Sequence, residues 1–230
     1  MKRFMKITPI FLLGISAALM MAGNCGCSEK DGDNAGTPPE QVQPGTTGAV
    51  DNDPKAVPAA KNPQVKMETT MGDIVVELYP EAAPQTVKNF LQYVAEGYYA
   101  GTIFHRVISE FMIQGGGITV DLTGRSPRDP IVNESDNGLK NVRGALAMSR
   151  NQNQSDSATC MFYINQVDNF PLDHGHELSP DGFGYTVFGK VLQGMDVVDR
   201  IAAVPVTNKG ALFEHLPIVP VVVTKVSVIN

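Results

Sequence analysis

Many short strand-like runs, with only two amphipathic helical stretches among them, predict a mainly β domain. The expected form is an antiparallel sheet of about eight strands closed into a barrel, its open ends covered by the two helices. Two observations frame that expectation. Strand patterning begins only at Val65, after a stretch rich in proline, glycine and polar residues. Of three cysteines, Cys25 and Cys27 lie near the N-terminus, so Cys160 stands alone in the body of the chain and no disulfide framework holds the fold.

The elements follow in order. Val65-Lys66-Met67-Glu68-Thr69 alternates apolar and polar residues as a half-buried strand does. Met71-Gly72-Asp73 supplies a turn, and Ile74–Leu78 returns as the second strand of a hairpin. Pro84 suits the first turn of a helix, where its missing N–H costs nothing. Val87, Phe90, Leu91 and Val94 then fall on one helical face, and Gly97 ends the helix. Further strands are expected around Ile103–Arg106, Met112–Gln114, Ala145–Ser149, Cys160–Asn165 and Thr186–Val191. A second helix is expected near Met195–Ala202, with Val198 and Ile201 inward, and Val221–Val228 closes the chain as a strand.

The first 64 residues read differently. Lys2, Arg3 and Lys6 precede a mostly apolar run, Ile7–Ala22, followed by Gly23, Asn24 and Cys25. A basic start, a short apolar run and small residues make a secretory signal over residues 1–24. The apolar run is short for a spanning helix, which needs about 20 apolar residues; an uncleaved N-terminal anchor is the competing reading. Ala22-Gly23-Asn24-Cys25 resembles a bacterial lipobox, in which the cysteine is lipidated and becomes the first residue. Asn24 departs from the small residue usual there. Cys27 fits less well, and ordinary cleavage to a free exported protein is the alternative. Residues 25–64 are read as the lipidated cysteine and a disordered tether, because the segment has too few large apolar residues to offset chain entropy. From residue 28 to 64 such a chain spans roughly 35 Å end to end.

The composition bounds the function. The chain has 230 residues, 43% hydrophobic and 18% charged, with a formal net charge of −6. Losing the signal removes three cations and no acid, which leaves the remainder more acidic still. An acidic protein without a long basic run is a poor partner for nucleic acid.

The most informative segment runs from Phe104 to Gly116, where Arg106 and Gln114 lie among large apolar residues. A buried arginine is costly unless paired, so a structural ion pair is one reading. The same segment resembles the central signature of the cyclophilins. The likeness continues in collinear order through Asn137–Asn141, Arg143–Arg150, Ser157–Thr159, Phe162–Asn165, Val187–Val191 and Gly194–Val198. It covers about residues 65–230 and is nearest the compact bacterial type, since the glycine-rich insert of many eukaryotic members is missing around Asp121–Ile131.

The resemblance implies peptidyl-prolyl cis–trans isomerisation with no cofactor and no metal. Rotation about the bond before proline faces a barrier near 18–20 kcal/mol, because the amide bond has partial double-bond character, and a catalyst must bind the twisted amide better than the planar forms. As the amide twists, the prolyl nitrogen localises its lone pair, and a fixed guanidinium stabilises it. The resemblance makes Arg106 that group. Gln114 and Phe111 join it as catalytic residues, with Gln114 holding the substrate backbone and orienting the arginine. Substrate-binding positions by the same likeness are Met112, Met148, Ser149, Arg150, Met161, Tyr163, Leu172 and Tyr185. Backbone near Ser149 and Arg150 is expected to pair with an extended peptide. His105 belongs to the signature but reads as structural.

Departures from the family pattern fall at Met161, in place of a frequent glutamine; at Tyr163, in place of phenylalanine; at Pro171, which aligns with the pocket's aromatic residue, with Phe170 one place earlier; and at Tyr185, in place of histidine. The expected partners are proline-containing polypeptides and a lipid membrane, reached through the N-terminal anchor, with the domain a monomer in the bacterial envelope facing the periplasm or the exterior. Lesser readings are a metal cluster at Asp173-His174-Gly175-His176 with Asp181, a nucleophilic Cys160, and a proline-binding or chaperone-like module with little isomerase activity.

Overall fold

The computed structural model describes residues 62–179, 181–210 and 213–230. The expected signal over residues 1–24, the expected lipidation at Cys25 and nearly all of the expected tether lie outside the described residues. Strand β1 (Gln64–Thr69) pairs with β2 (Gly72–Leu78) in the expected hairpin. In its turn the Thr69 hydroxyl accepts the Met71 N–H at 3.0 Å and donates to the Gly72 carbonyl at 2.6 Å. Helix α1 (Pro84–Ala95) begins with Pro84 in its first turn. Ala83 offers no side-chain cap there. The Glu134 carboxylate accepts the orphan N–H groups of Gln85 and Thr86 instead, at 3.0 and 2.9 Å, and sets a negative charge at the positive end of the helix.

The single strand expected over Ile103–Arg106 is two strands, β3 (Thr102–Ile103) and β4 (Arg106–Ile108), broken at Phe104-His105. Then follow β5 (Met112–Gly115), β6 (Ala145–Met148), β7 (Phe162–Asn165), a 3₁₀ turn (Phe170–Leu172) and β8 (Val187–Gln193). Helix α2 (Met195–Ala202) leads to a short ribbon of β9 (Val206–Thr207) and β10 (Leu216–Pro217), which the sequence pattern did not announce. Strand β11 (Val222–Val228) ends the domain against β1.

The sheet corrects one expectation. Nine strands pair in the order β3-β11-β1-β2-β8-β6-β7-β5-β4, every pair antiparallel. The end strands β3 and β4 do not pair with each other, and the two edges lie 9 Å apart. The sheet is thus an open, curled half-barrel rather than the closed barrel of about eight strands. Neighbouring strands in a ladder lie about 4.8 Å apart, so edges 9 Å apart share no hydrogen bonds. Register shifts at Glu68/Thr69, Val75/Val76 and Leu146/Ala147 bend the strands and curl the sheet.

Alternation along the strands assigns the two faces. Ile113, Leu146, Phe162, Ile164 and Phe188 point inward into the main core, which α1 joins through Phe90 and Val87 and α2 through Val198 and Ile201. Phe162 meets Phe90, Tyr99 and Phe104 edge-on, with ring centroids 5.5–6.3 Å apart. Gly116, at φ +100°, lets the chain cross this core: a Cβ there would lie 2.7 Å from the Cys160 carbonyl. The intervening residues Met112, Ala145, Ala147, Tyr163 and Val187 form a second, smaller apolar cluster on the outer face.

Candidate active site

Register alone places the candidate residues together. Arg106 on β4 sits opposite Gln114 on β5; Gln114 opposes Tyr163 on β7; Tyr163 opposes Ala147 on β6; and Ala147 opposes Val187 on β8. Directly paired residues share a face, so this row crosses the outer surface of five strands. Beside it lies a cavity of about 320 Å³ lined by Arg106, Phe111, Met112, Gln114, Ser149, Arg150, Tyr163, Leu172 and Tyr185. The site is therefore outside the half-barrel, on the face opposite the main core.

Two of the eleven expected residues stand apart. Met148 shares the inward phase of Leu146 and packs in the main core. Met161 lines an adjacent open groove with Pro130, Asn151, Thr159 and Phe183. Pro171 and Phe170 form the 3₁₀ turn that delivers Leu172 to the cavity; Phe170 is 46% exposed and does not line it.

Arg106 makes no salt bridge and no side-chain hydrogen bond among the described residues, so it does not serve as a structural ion pair. The Gln114 amide donates to the Ser149 hydroxyl at 2.9 Å. The Ser149 N–H is already given to the Met161 carbonyl at 2.9 Å, so a bound peptide must use other backbone groups at this point.

The cavity floor rests on a buried polar network that no sequence pattern revealed. The Tyr163 hydroxyl, which the family's phenylalanine lacks, donates to Asn141 Oδ1 at 2.8 Å. Burial first, then the nearby Tyr185 and Asp173, hold the Tyr163 phenol well above its usual 10, which keeps it a donor. The Asn141 main-chain N–H and side-chain amide both donate to Asp173 Oδ1, at 2.8 and 3.0 Å. Asn169 donates to Asn165 Oδ1 at 2.7 Å and to the Phe111 carbonyl at 2.9 Å, which fixes the loop carrying Phe111. A fully satisfied network of this kind rigidifies a site.

The lesser readings meet other partners. Asp173 is committed to Asn141 and lies 3.6 Å from Lys140 Nζ. His174 Nδ1 lies 3.0 Å from the Phe183 carbonyl, and His176 Nδ1 accepts the Leu178 N–H. No group of three or more His, Cys, Asp or Glu among the described residues is placed to hold a metal ion. Cys160 is buried, with its sulfur 3.4 Å from the Tyr98 hydroxyl. His105 is buried with Nδ1 unpartnered. Burial chiefly, with a smaller push from the Arg106 charge and against a contact with the Ile103 backbone, lowers its pKa from 6.5 to about 4, so the ring is neutral at pH 7.

A curled antiparallel sheet thus sets a guanidinium with no partner among the described residues beside a cavity lined by both polar and apolar side chains. Residues 64–228 match the family model described as cyclophilin type peptidyl-prolyl cis-trans isomerase/CLD. The chain belongs to the cyclophilin family and is a peptidyl-prolyl cis–trans isomerase. It is 48% identical over 164 residues to peptidyl-prolyl cis-trans isomerase B of Escherichia coli strain K12, covering 71% of this chain and 98% of that one. It is 44% identical over 175 residues to isomerase A of Dickeya dadantii, covering 76% and 89%. Among solved structures, a cyclophilin-type isomerase of Cryptosporidium parvum superposes with a TM-score of 0.60 at 26% identity, covering 74% of this chain and 98% of that one. The same protein has been solved in the presence of the dipeptide Ala-Pro, with a TM-score of 0.59 at 27% identity, covering 73% and 99%.

Proposed function

We propose that Arg106 is the group that lowers the rotation barrier. The observation that carries this is its guanidinium, which has no counter-charge among the described residues and lines the cavity one strand from Gln114. A guanidinium free of any counter-charge has its donors available for the pyramidal prolyl nitrogen and the neighbouring carbonyl as the amide twists. Phe111, Met112, Tyr163 and Leu172 hold the proline ring, and Gln114 holds the peptide backbone. Loss of one preorganised donor typically costs about 2.7–4 kcal/mol of transition-state stabilisation. Arg106→Ala should therefore lower kcat/KM on an Xaa-Pro peptide by roughly a hundredfold or more while leaving the melting temperature nearly unchanged. A folded Arg106→Ala variant with normal turnover refutes the assignment.

We further infer that the enzyme serves exported or envelope proteins. Support comes from the basic–apolar–small segment ending at Cys25 and the proline- and glycine-rich stretch that follows it. A single acyl chain binds membranes only marginally, so stable attachment requires more than one chain, the case that bacterial lipoproteins resemble. The domain works as a monomer on proline-containing polypeptides and does not bind nucleic acid. Replacing Cys25 with serine should release the protein from the membrane fraction. Unchanged membrane attachment would assign the anchor to Cys27 or to an uncleaved Ile7–Ala22.

A further inference from the structure

One wall of the cavity is held by a residue outside the candidate set. Arg150 and Asp181 form a bidentate pair, Nη1 to Oδ2 and Nη2 to Oδ1, each at 2.7 Å, with side chains only 2% and 5% exposed. Arg150 Nε donates to the Gly184 carbonyl at 2.8 Å, and Nη1 donates also to the Asn151 carbonyl at 3.0 Å. Its guanidinium carbon sits 4.5 Å from the centre of the Tyr185 ring. The other lone pairs of Asp181 accept the N–H groups of Asn153, at 3.0 Å, and Phe183, at 3.2 Å. Gly184, at φ +69°, brings this loop so close to His174 that a Cβ would lie 2.4 Å from the His174 main-chain nitrogen. Asp181 thereby joins the loop after β6 to the loop before β8, and both loops reach the cavity, through Arg150 and Tyr185.

The pairing also sets charge. Arg150 and Arg106 both line the cavity, but the Arg150 charge is cancelled at contact distance while Arg106 has no counter-ion among the described residues. We propose that Asp181 is a positioning and specificity-determining residue of the isomerase groove. It locks Arg150 against Tyr185, and among the described residues it leaves Arg106 as the one uncompensated cation lining the cavity. This rests on the assignment of the cavity as the peptide site. A neutral residue at position 181 frees a second positive charge at the groove wall and loosens the wall itself. The groove then favours peptides with an acid beside the proline, through the field of Arg150.

The test compares the full chain with its Asp181→Asn and Asp181→Glu variants on three peptides that carry Ala, Glu or Lys before proline. For the Ala peptide, Asp181→Asn should raise KM about tenfold with kcat within about threefold, because a displaced wall loses binding geometry. The Glu-to-Ala ratio of kcat/KM should rise at least about fivefold and the Lys-to-Ala ratio should fall, because an unpaired guanidinium then faces the peptide. Asp181→Glu, which keeps the charge, should restore the wild-type ratios. Equal losses on all three peptides with a lowered melting temperature would reduce Asp181 to a structural role and overturn the proposal. Wild-type kinetics in Asp181→Asn would overturn it too. If Arg106→Ala remains fully active, the cavity assignment fails instead, whatever the ratios show.

Discussion

The inner and outer faces of the curled sheet are made by the same strands and share almost nothing else. On β5, Ile113 points into the main core, and Met112 and Gln114 flank it on the outer face. On β7, Phe162 and Ile164 are inward while Tyr163 floors the cavity. The inner face is lined by aliphatic, aromatic and thioether side chains, and it buries area without using direction. On the outer face, apolar residues alternate with groups whose donors must be aimed. Because the strand period is two, neighbours in sequence belong to different physical problems, one of packing and the other of chemistry.

The sharpest way to break that comparison is to damage the inner face alone. Phe162→Ala removes the ring that meets Phe90, Tyr99 and Phe104, and such a truncation costs about 3–5 kcal/mol. Urea denaturation should show that loss, while the folded fraction keeps its turnover. The next effect is a pH dependence. The folded-state pKa of His105 lies below its unfolded value of 6.5, at about 4. The unfolded chain therefore binds a proton that the folded chain refuses. Stability should be complete above pH 6.5 and decline as the pH falls toward 4, by up to roughly 3 kcal/mol. A His105→Asn variant should lose that part of the slope in melts across this window. The smallest effect expected is that of Tyr163→Phe. It removes the donor to Asn141 Oδ1, which still accepts from Asn165 at 3.2 Å, so stability should fall by only about 1 kcal/mol. The ring remains, so turnover should stay within about threefold of wild type.

Local chemistry made much of this legible in the sequence. Alternation in Val65–Leu78 marked the first hairpin, Pro84 and the Val87–Val94 spacing marked α1, and the range of α2 was read as it stands. What depends on distant pairings was not legible. Closure of the sheet turns on whether β3 and β4 meet, and a run that read as one strand is broken between them. Family likeness groups Met148 with the site, although its phase with Leu146 points it inward. The pairings of Asn141, Asp173 and Asp181 are not legible locally, because their partners lie 22 to 32 residues away.

The partition between the two faces is tested most directly on adjacent residues of β5. Gln114→Ala and Ile113→Ala should be measured side by side for kcat/KM on a proline peptide and for unfolding free energy. Gln114→Ala should lose about tenfold or more in kcat/KM while its stability moves by less than about 1 kcal/mol. Ile113→Ala should lose about 2–5 kcal/mol of stability while its folded fraction turns over normally. The account is contradicted if Gln114→Ala keeps full activity, or if both variants lose stability and activity together.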